Sequence, residues 1–335
     1  MIRLRMRVTD LERMRFAYSP LTETAESLYM LHSGRINPLH HGWFEQTRER
    51  VRHADTPLLK AVIPPRAHLA EFLLGCTVDA ATTIDQQLQA VLECSPERLR
   101  AGLDLVWGGR RPPVLTQAMA DRAFARRLAD ALWTYWQVAI EPYWPQLRAL
   151  LDADVAYRAG QLARGGIEAL LADLHPRLEL QEQAIEIGGA AHHAEHDLTG
   201  AGLLLVPCVF AWPYLVVDSG SSGAASLTYG PRGIGTLWES ASQPKAGEAA
   251  LGALLGRSRA AILTSVALPR STTDLARELG QSAPAISAHL AILRRCGMVT
   301  SWRSGRRVLY QRTPLATSIV CASTPAPEHC AQTTA

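Results

Sequence analysis

The chain has 335 residues, of which 47% are hydrophobic, and a formal net charge of +3. This length and composition predict a globular protein of two or three domains and exclude a disordered or fibrous chain. The apolar runs are shorter than the roughly 18 residues that a transmembrane helix needs, so no membrane partner is predicted. The six cysteines are scattered without a Cys-x-x-Cys pair, which is typical of reduced thiols and favours a cytoplasmic location.

A mainly helical N-terminal domain is predicted over residues 1–183. Residues 2–8 alternate apolar and polar side chains, which is typical of an edge strand and not of a secretory signal. Ser95 stands before a proline, a pattern that marks the start of a helix because the serine can cap the free N–H groups. Two long amphipathic stretches, 117–140 and 143–174, predict the main helices of this domain.

A small β-rich subdomain packed on these helices is predicted over residues 184–238. Its hydrophobic residues occur in short runs bounded by glycine, serine and proline, chiefly at 203–210, 214–217 and 226–229. Such runs are typical of a small antiparallel sheet. The predicted fold class is therefore mainly α with a small antiparallel β-sheet, an α+β arrangement, completed by a C-terminal winged helix-turn-helix.

The C-terminal module is predicted at residues 247–316, between a hinge at 239–246 and a disordered tail at 317–335. The tail is poor in hydrophobic residues and rich in serine, threonine, alanine and proline. The module is expected to begin with one helix over residues 247–266.

Two short helices joined by a tight turn are predicted inside this module, at 271–280 and 283–296. In the second, Ile286, Leu290 and Leu293 recur at helical spacing and form one apolar stripe. Two helices joined in this way are typical of a helix-turn-helix unit, whose second helix enters the major groove of DNA.

A β-hairpin is predicted directly after the second helix. Its turn contains glycine, and its tip carries Arg303, Arg306 and Arg307. A hairpin in this position is a wing, and its basic tip suits the phosphate backbone or the minor groove. The alternative is an αα-hairpin and a β-hairpin that pack together for stability alone.

The region 246–314 resembles the winged-helix regulators of the arsenic-repressor (ArsR/SmtB) family. The shared pattern is Ser-x-His-Leu-x-x-Leu-x-x-x-Gly-Met-Val, beginning at Ser287, followed by Gly-Arg-x-x-x-Tyr, ending at Tyr310. The resemblance implies a winged helix that binds DNA, and repression, since family members usually block polymerase. Segments 154–158, 207–213 and 229–239 resemble an uncharacterised N-terminal region of actinobacterial regulators, which implies an architecture but no ligand.

The predicted DNA contacts lie on the second helix, on its cap and on the wing. They are Ser282, Pro284, Ala285, Ser287, Ala288, His289, Arg294, Arg295, Arg303, Arg306 and Arg307. The small side chains allow close approach to base edges, and Ser287 can hydrogen-bond to several bases. His289 is as well suited to orienting the helix as to touching DNA.

The distribution of charge supports a polyanion-binding module. From Lys245 to Arg312 there are 11 basic and 3 acidic residues, a net of +8, whereas the remainder has 23 basic and 28 acidic residues, a net of −5. Each phosphate that such a module neutralises releases counterions. A solvated basic surface without function would produce a milder form of this asymmetry.

A dense histidine run is a weak metal candidate. His192, His193 and His196 fall within five positions, and neutral imidazole binds zinc. The run lies between glycine-rich pieces, where a solvated loop is the commoner structure. Members of the resembled family often sense metals through cysteines in the segment equivalent to 272–279, which has no cysteine here, so neither a metal nor a cofactor is predicted.

An aromatic cluster in the N-terminal domain could line a cavity for an apolar small molecule. Trp133, Trp136, Tyr143 and Trp144 lie within twelve positions, and Arg158 could serve as a polar anchor. The alternative is that these rings form an interdomain or dimer core.

Together, the sequence predicts a DNA-binding transcriptional regulator that binds a palindromic operator in double-stranded DNA as a homodimer. A small-molecule effector in the N-terminal part is a further expectation. Two other classes stay open: a metabolite- or metal-binding sensor whose DNA module is secondary, and an enzyme whose winged helix serves protein contacts. No residue stands in a recognisable nucleophile setting, so no catalytic residue is predicted and the protein is not expected to be an enzyme.

Overall fold

The computed structural model describes residues 1–54, 56–65, 68–74, 82–181, 184–189, 193–198, 200–218, 224–238, 246–267, 269–304 and 307–322. The chain divides into two compact units: unit 1 comprises Met1–Glu239, and unit 2 comprises Ser240–Ala335. Among the described residues, no helix is both long enough and apolar enough to cross a membrane. The mainly helical α+β class predicted from the sequence is confirmed.

Unit 1 is built mainly of helices. They are α1 (Val8–Glu12), α2 (Pro20–Ser33), α3 (His41–Ala54), α4 (Pro57–Val62), α5 (Ile84–Leu92), α6 (Pro96–Trp107), α7 (Pro113–Ala120), α8 (Phe124–Ala139) and α9 (Trp144–Ala172). Ser95 accepts a hydrogen bond from the backbone N–H of Arg98 at 3.2 Å and so caps α6, as its position before a proline predicts.

The two long amphipathic stretches of unit 1 are less continuous than their periodicity predicts. The first is divided between α7 and α8, because the Asp121 side chain accepts the backbone N–H of Ala123 at 2.9 Å and competes with helical hydrogen bonding there. The second forms α9, which is kinked at Gly166, where φ is 66°.

Eight strands of unit 1 form two four-stranded sheets. They are β1 (Ile2–Arg5), β2 (Arg15–Phe16), β3 (Leu178–Gln181), β4 (Ala184–Ile187), β5 (Ala194–Asp197), β6 (Leu203–Pro207), β7 (Val216–Asp218) and β8 (Ala225–Tyr229). The first sheet has the order β3-β4-β1-β5, and the second has the order β2-β6-β8-β7.

The N-terminal strand lies inside the first sheet and not at its edge. It pairs antiparallel with β4, placing Leu4 opposite Ile185, and parallel with β5, placing Leu4 opposite His196. The prediction of an edge strand is therefore wrong, because alternation of side chains reports which faces are covered and not how many neighbours a strand has. The sheet also begins at β3, before the predicted boundary at residue 184.

The second sheet mixes parallel and antiparallel pairs. β6 runs parallel to both β2 and β8, and only the β7–β8 pair is antiparallel. The antiparallel prediction for 203–229 is therefore wrong for β6. Every residue of β6 and β8 is buried, as is typical of parallel strands that are covered on both faces and whose sequences lack alternation.

The described part of unit 2 contains eight helices and strands. They are α10 (Ala246–Leu255), α11 (Arg257–Ser265), β9 (Arg270–Ser271), α12 (Thr272–Glu278), α13 (Ala283–Arg295), β10 (Val299–Ser304), β11 (Arg307–Arg312) and α14 (Pro314–Ala322). The middle six, from α11 to β11, follow the order of a winged helix. The three strands form one antiparallel sheet in the order β10-β11-β9.

Two sequence-based expectations for unit 2 are corrected. The single helix predicted at 247–266 is divided at Gly256, whose φ of 85° is incompatible with a continuous helix. The predicted disordered tail is wrong for residues 317–322, which belong to α14, because Ala316 is fully buried and Val320 packs against the unit 2 core. Residues 323–335 and 239–245 of the predicted tail and hinge lie outside the described residues.

Candidate nucleic-acid interface

The turn between α12 and α13 is fixed by side-chain caps at both helix starts. Ser271 accepts the backbone N–H of Asp274 at 3.2 Å, while the Asp274 carboxylate accepts the backbone N–H of Ser271 at 3.3 Å, a reciprocal capping box. Ser282 accepts the backbone N–H of Ala285 at 3.4 Å at the start of α13. Between the two helices Gly280 has a φ of 61°, which its lack of a side chain permits.

The apolar stripe of α13 is buried as its spacing predicts. Ile286 and Leu290 are fully buried and Leu293 is 1% exposed. They pack with Leu275 of α12 and with Leu263 of α11 in one hydrophobic cluster. Burying one such side chain contributes about 1.5–3 kcal/mol, so this cluster holds α13 in one rotational position.

The opposite face of α13 is left open. Pro284, Ser287 and Ala288 are exposed, and Ala285 is half-buried. Exposed small side chains on a helix let its backbone approach base edges closely. The remaining exposed members of the predicted contact set on this helix and its cap are Ser282, Arg294 and Arg295.

His289 differs from the other predicted contacts. It is half-buried, and its Nδ1 atom is buried without a hydrogen-bond partner among the described residues. This placement fits a side chain that packs at the edge of α13 better than one that faces outward.

The wing follows α13 directly. Strands β10 and β11 pair from Val299 opposite Arg312 to Ser304 opposite Arg307. Arg303 and Arg307 are both exposed near the tip, whereas Arg306 lies outside the described residues. The Arg294 guanidinium lies 3.5 Å from the Ser301 hydroxyl of β10, so the basic end of α13 and the wing are neighbours.

One exposed arginine of α12 was not among the predicted contacts. Arg277 lies in the last turn of α12 and is exposed. The Gln281 side chain, in the turn, donates to the Ser258 hydroxyl at 3.1 Å and ties the turn to α11. The excess of positive charge in this part of the sequence includes Arg277, but composition does not tell which face of a helix an arginine occupies.

The histidine run lies partly on β5 of unit 1. His193 is exposed and His196 is half-buried, while His192 lies outside the described residues. The carboxylates of the same run, Glu195 and Asp197, form ion pairs with arginines of the N-terminal segment. Among the described residues, no group of three His, Cys, Asp or Glu side chains is placed to hold a metal ion.

The aromatic cluster is largely packed inside unit 1. Trp136 is 3% exposed, and its ring lies 5.2 Å from that of Trp144 in an edge-to-face arrangement. Tyr143 is buried with its ring 5.5 Å from that of Trp238, and Trp133 is half-buried on α8. Two pockets formed by described residues of unit 1 are lined by other side chains. A ligand role for this cluster stays a prediction.

Arg158 lies in a buried ion-pair network. It is 2% exposed, with its Nε 3.5 Å from Asp154 and its Nη1 3.2 Å from Asp173. The Tyr229 hydroxyl and the backbone N–H of Arg232 donate to the Asp154 carboxylate at 2.8 and 3.0 Å. Arg158 therefore joins α9 to the end of β8 and to the loop after it.

In unit 2, a buried stripe fixes a helix whose opposite face is open, and a basic hairpin follows it. This arrangement defines a winged helix-turn-helix DNA-binding module. Residues 258–301 match the family described as bacterial regulatory protein, arsR family. The C-terminal module is thus an ArsR-family winged helix, and the protein is a DNA-binding transcriptional regulator.

Other comparisons add little about mechanism. Residues 119–230 match a family of unknown function, DUF5937. The solved structure of reduced HlyU from Vibrio cholerae N16961 is 25% identical, covers 22% of this chain and 83% of its own, and has a TM-score of 0.20. No curated protein matched the chain.

Proposed function

We propose that the protein is a dimeric repressor that places α13 in the major groove of a palindromic operator and is controlled by a small molecule bound to unit 1. The observation that carries the DNA-binding part is the geometry of α13. Its stripe of three large apolar residues is buried, while Pro284, Ser287 and Ala288 remain exposed on the other side. A helix held in this way presents the same surface to every duplex that it meets.

Charge supports this docking mode. The segment from Lys245 to Arg312 carries a net charge of +8. Arg294 and Arg295 at the end of α13 and Arg303 and Arg307 on the wing are all exposed, so they are free to reach phosphates on either side of the groove.

Dimerisation would match two-fold symmetry in the operator, with half-sites about 10 base pairs apart or a multiple of that distance. In unit 2, Leu254 of α10 is 73% exposed. Such a side chain would be covered in a dimer, so we propose that α10 takes part in pairing two copies of the chain.

Replacing Arg303, Arg306 and Arg307 together with alanine should weaken binding to every duplex. Each lost phosphate contact should also reduce the slope of log affinity against log salt by about 0.9. Fluorescence anisotropy with labelled duplexes over a series of salt concentrations measures both quantities.

A matched control removes three exposed arginines from unit 1, Arg110, Arg122 and Arg126, and so makes the same change in net charge. This control variant should keep the parent salt slope. If the wing variant also keeps its affinity and slope, the wing does not contact DNA.

Changing Ser287 to alanine should alter sequence preference at a single base position by about 1–3 kcal/mol. Arg295→Ala is the contrasting variant, because a lost phosphate contact weakens all sequences alike. Selection of bound fragments from a random duplex library measures both patterns. An equal loss across all sequences for Ser287→Ala would show that this side chain does not read bases.

A further inference from the structure

A cavity of 280 Å³ opens on unit 1 beside α2. It lies between the C-terminal half of that helix, the segment that follows it, and the segment after β6. The side chains that matter for its chemistry are Glu26, Tyr29, Arg35, Phe210, Trp212 and Tyr214. All of them belong to unit 1, and none belongs to the aromatic cluster that the sequence singled out.

Glu26 is the unusual group in this cavity. The residue is 5% exposed, and no hydrogen bond or ion pair of its carboxyl group is found among the described residues. Burial, together with the charge of Glu23, raises the pKa of Glu26 to about 8. Below that pKa the carboxyl group holds a proton, and a cation bound in the cavity would stabilise the ionised form and lower the pKa again.

Glu23, the preceding acidic residue of α2, differs from Glu26 because its carboxylate has hydrogen-bond donors. Glu23, one turn earlier on α2, accepts the backbone N–H groups of Val209 and Phe210 at 2.8 and 3.2 Å. The Cys208 thiol donates to the same carboxylate at 3.2 Å. Glu23 therefore fixes the segment after β6 against α2, and it leaves Glu26 as the acidic group that faces the cavity.

Aromatic side chains surround the space near Glu26. Phe210 is buried, whereas Trp212 and Tyr214 at the mouth are 39% and 54% exposed. Ring faces attract cations, and exposed rings beside a cavity give an apolar ligand a surface to cover. Arg35 also lies at the mouth but is exposed, so water screens its charge more than that of the buried carboxylate.

We propose that this cavity binds a small molecule that carries a protonated amine on an apolar or aromatic body, with the amine held by Glu26 and the body held by the surrounding rings. This molecule would be the effector of the proposed function. Binding of the amine does not depend on that function, but a role of the amine in regulation does.

Calorimetric titration of the full-length protein, without DNA, tests the site. The probes are 2-phenylethylamine, tyramine, tryptamine and cyclohexylamine, each compared with the alcohol that replaces its amine by a hydroxyl. At least one amine should bind about tenfold more tightly than its alcohol, the ratio expected for a hydrogen bond to a charged group. If no amine binds more tightly than its alcohol, the proposal is wrong.

Glu26→Gln should abolish the preference for the amine while leaving the shape of the cavity nearly unchanged. Glu168→Gln, which alters an exposed glutamate on α9, should leave the preference intact. Tyr214→Ala, at an exposed position, should weaken the amine and the alcohol alike. Retention of the preference in Glu26→Gln, or an unchanged affinity in Tyr214→Ala, would contradict the assignment.

The effect of the bound amine on DNA affinity is measured in a separate experiment. Anisotropy with operator-containing duplexes, with and without the best amine, should show a changed DNA affinity. An amine that binds without changing DNA affinity would overturn ligand control by this site and leave DNA binding itself intact. Absence of amine binding would overturn the site and leave the repressor proposal standing.

Discussion

Arg158→Met should lower the free energy of unfolding of unit 1 by about 3–5 kcal/mol, the usual cost of removing one partner from a buried ion pair. The Asp154 side chain is completely buried, and Arg158 is its cationic neighbour at 3.5 Å. Burial raises the pKa of Asp154 and the charge of Arg158 opposes that rise. Without Arg158, the buried carboxylate must either stay charged with only its two hydrogen-bond donors, Tyr229 and the backbone of Arg232, or take up a proton.

Urea unfolding followed by tryptophan fluorescence measures this loss, since seven of the eight tryptophans lie in unit 1. Arg232→Met is the matched control. Its guanidinium also pairs with Asp173, at 3.1 Å, but it is exposed, so the expected change is within about 1 kcal/mol. The backbone N–H that Arg232 donates to Asp154 survives this substitution. Equal losses in the two variants would mean that burial of Arg158 has no energetic consequence.

The stability of unit 1 should fall by about 2 kcal/mol between pH 6.5 and 8. Burial raises the pKa of Glu23 to about 7 and the pKa of Glu26 to about 8. Because both values exceed that of an unfolded glutamate, the folded state holds more protons, and the stabilisation present at low pH is lost as the pH rises through these values.

A buried histidine sets the lower limit of this pH window. Burial lowers the pKa of His40 to about 4, so protonation of His40 in the unfolded chain opposes folding as the pH falls below about 6.5. Above that pH the two glutamates dominate the slope. Unfolding midpoints in urea at closely spaced pH values measure the effect.

Glu26→Gln should flatten this profile and raise stability at pH 8, leaving the smaller decrease that Glu23 causes. Glu168→Gln, at an exposed position, should reproduce the parent profile. If the Glu26→Gln profile has the parent slope, the carboxyl of Glu26 does not titrate in this range.

The features that the sequence predicted well are those determined by neighbouring residues. The cap at Ser282 and the stripe at Ile286, Leu290 and Leu293 depend on spacings of three or four residues, and the structure contains both. The hairpin after α13 is equally local. For that reason, the pattern of the winged helix is visible in the sequence itself.

The features that were missed depend on contacts between distant residues. Nothing near residues 2–5 indicates that they pair with strands at 184–187 and 194–197. Arg158 was expected to anchor a ligand, whereas the structure pairs it with Asp154, four positions earlier on α9, and with Asp173, fifteen positions later and beyond the end of that helix. Whether it also meets a ligand stays a prediction.

The cavity beside α2 gave no signal in the sequence. Glutamates three positions apart on a helix are usually solvated, so Glu23 and Glu26 resemble an ordinary polar face. Both are buried in the structure, and Glu23 is hydrogen-bonded to the segment after β6, nearly 190 residues farther along the chain. Burial of this kind depends on tertiary packing and cannot be inferred from local periodicity.

The internal position of β1 has a consequence for synthesis on the ribosome. The two neighbours of β1 in the sheet are β4 at 184–187 and β5 at 194–197, so the nascent chain must emerge past residue 184 before β1 can pair with either of them. Contacts of such long range slow folding, and a waiting strand is prone to aggregate. The alternating arginines would keep that strand soluble during the delay, before Arg3 and Arg5 pair with Glu186 and Glu195.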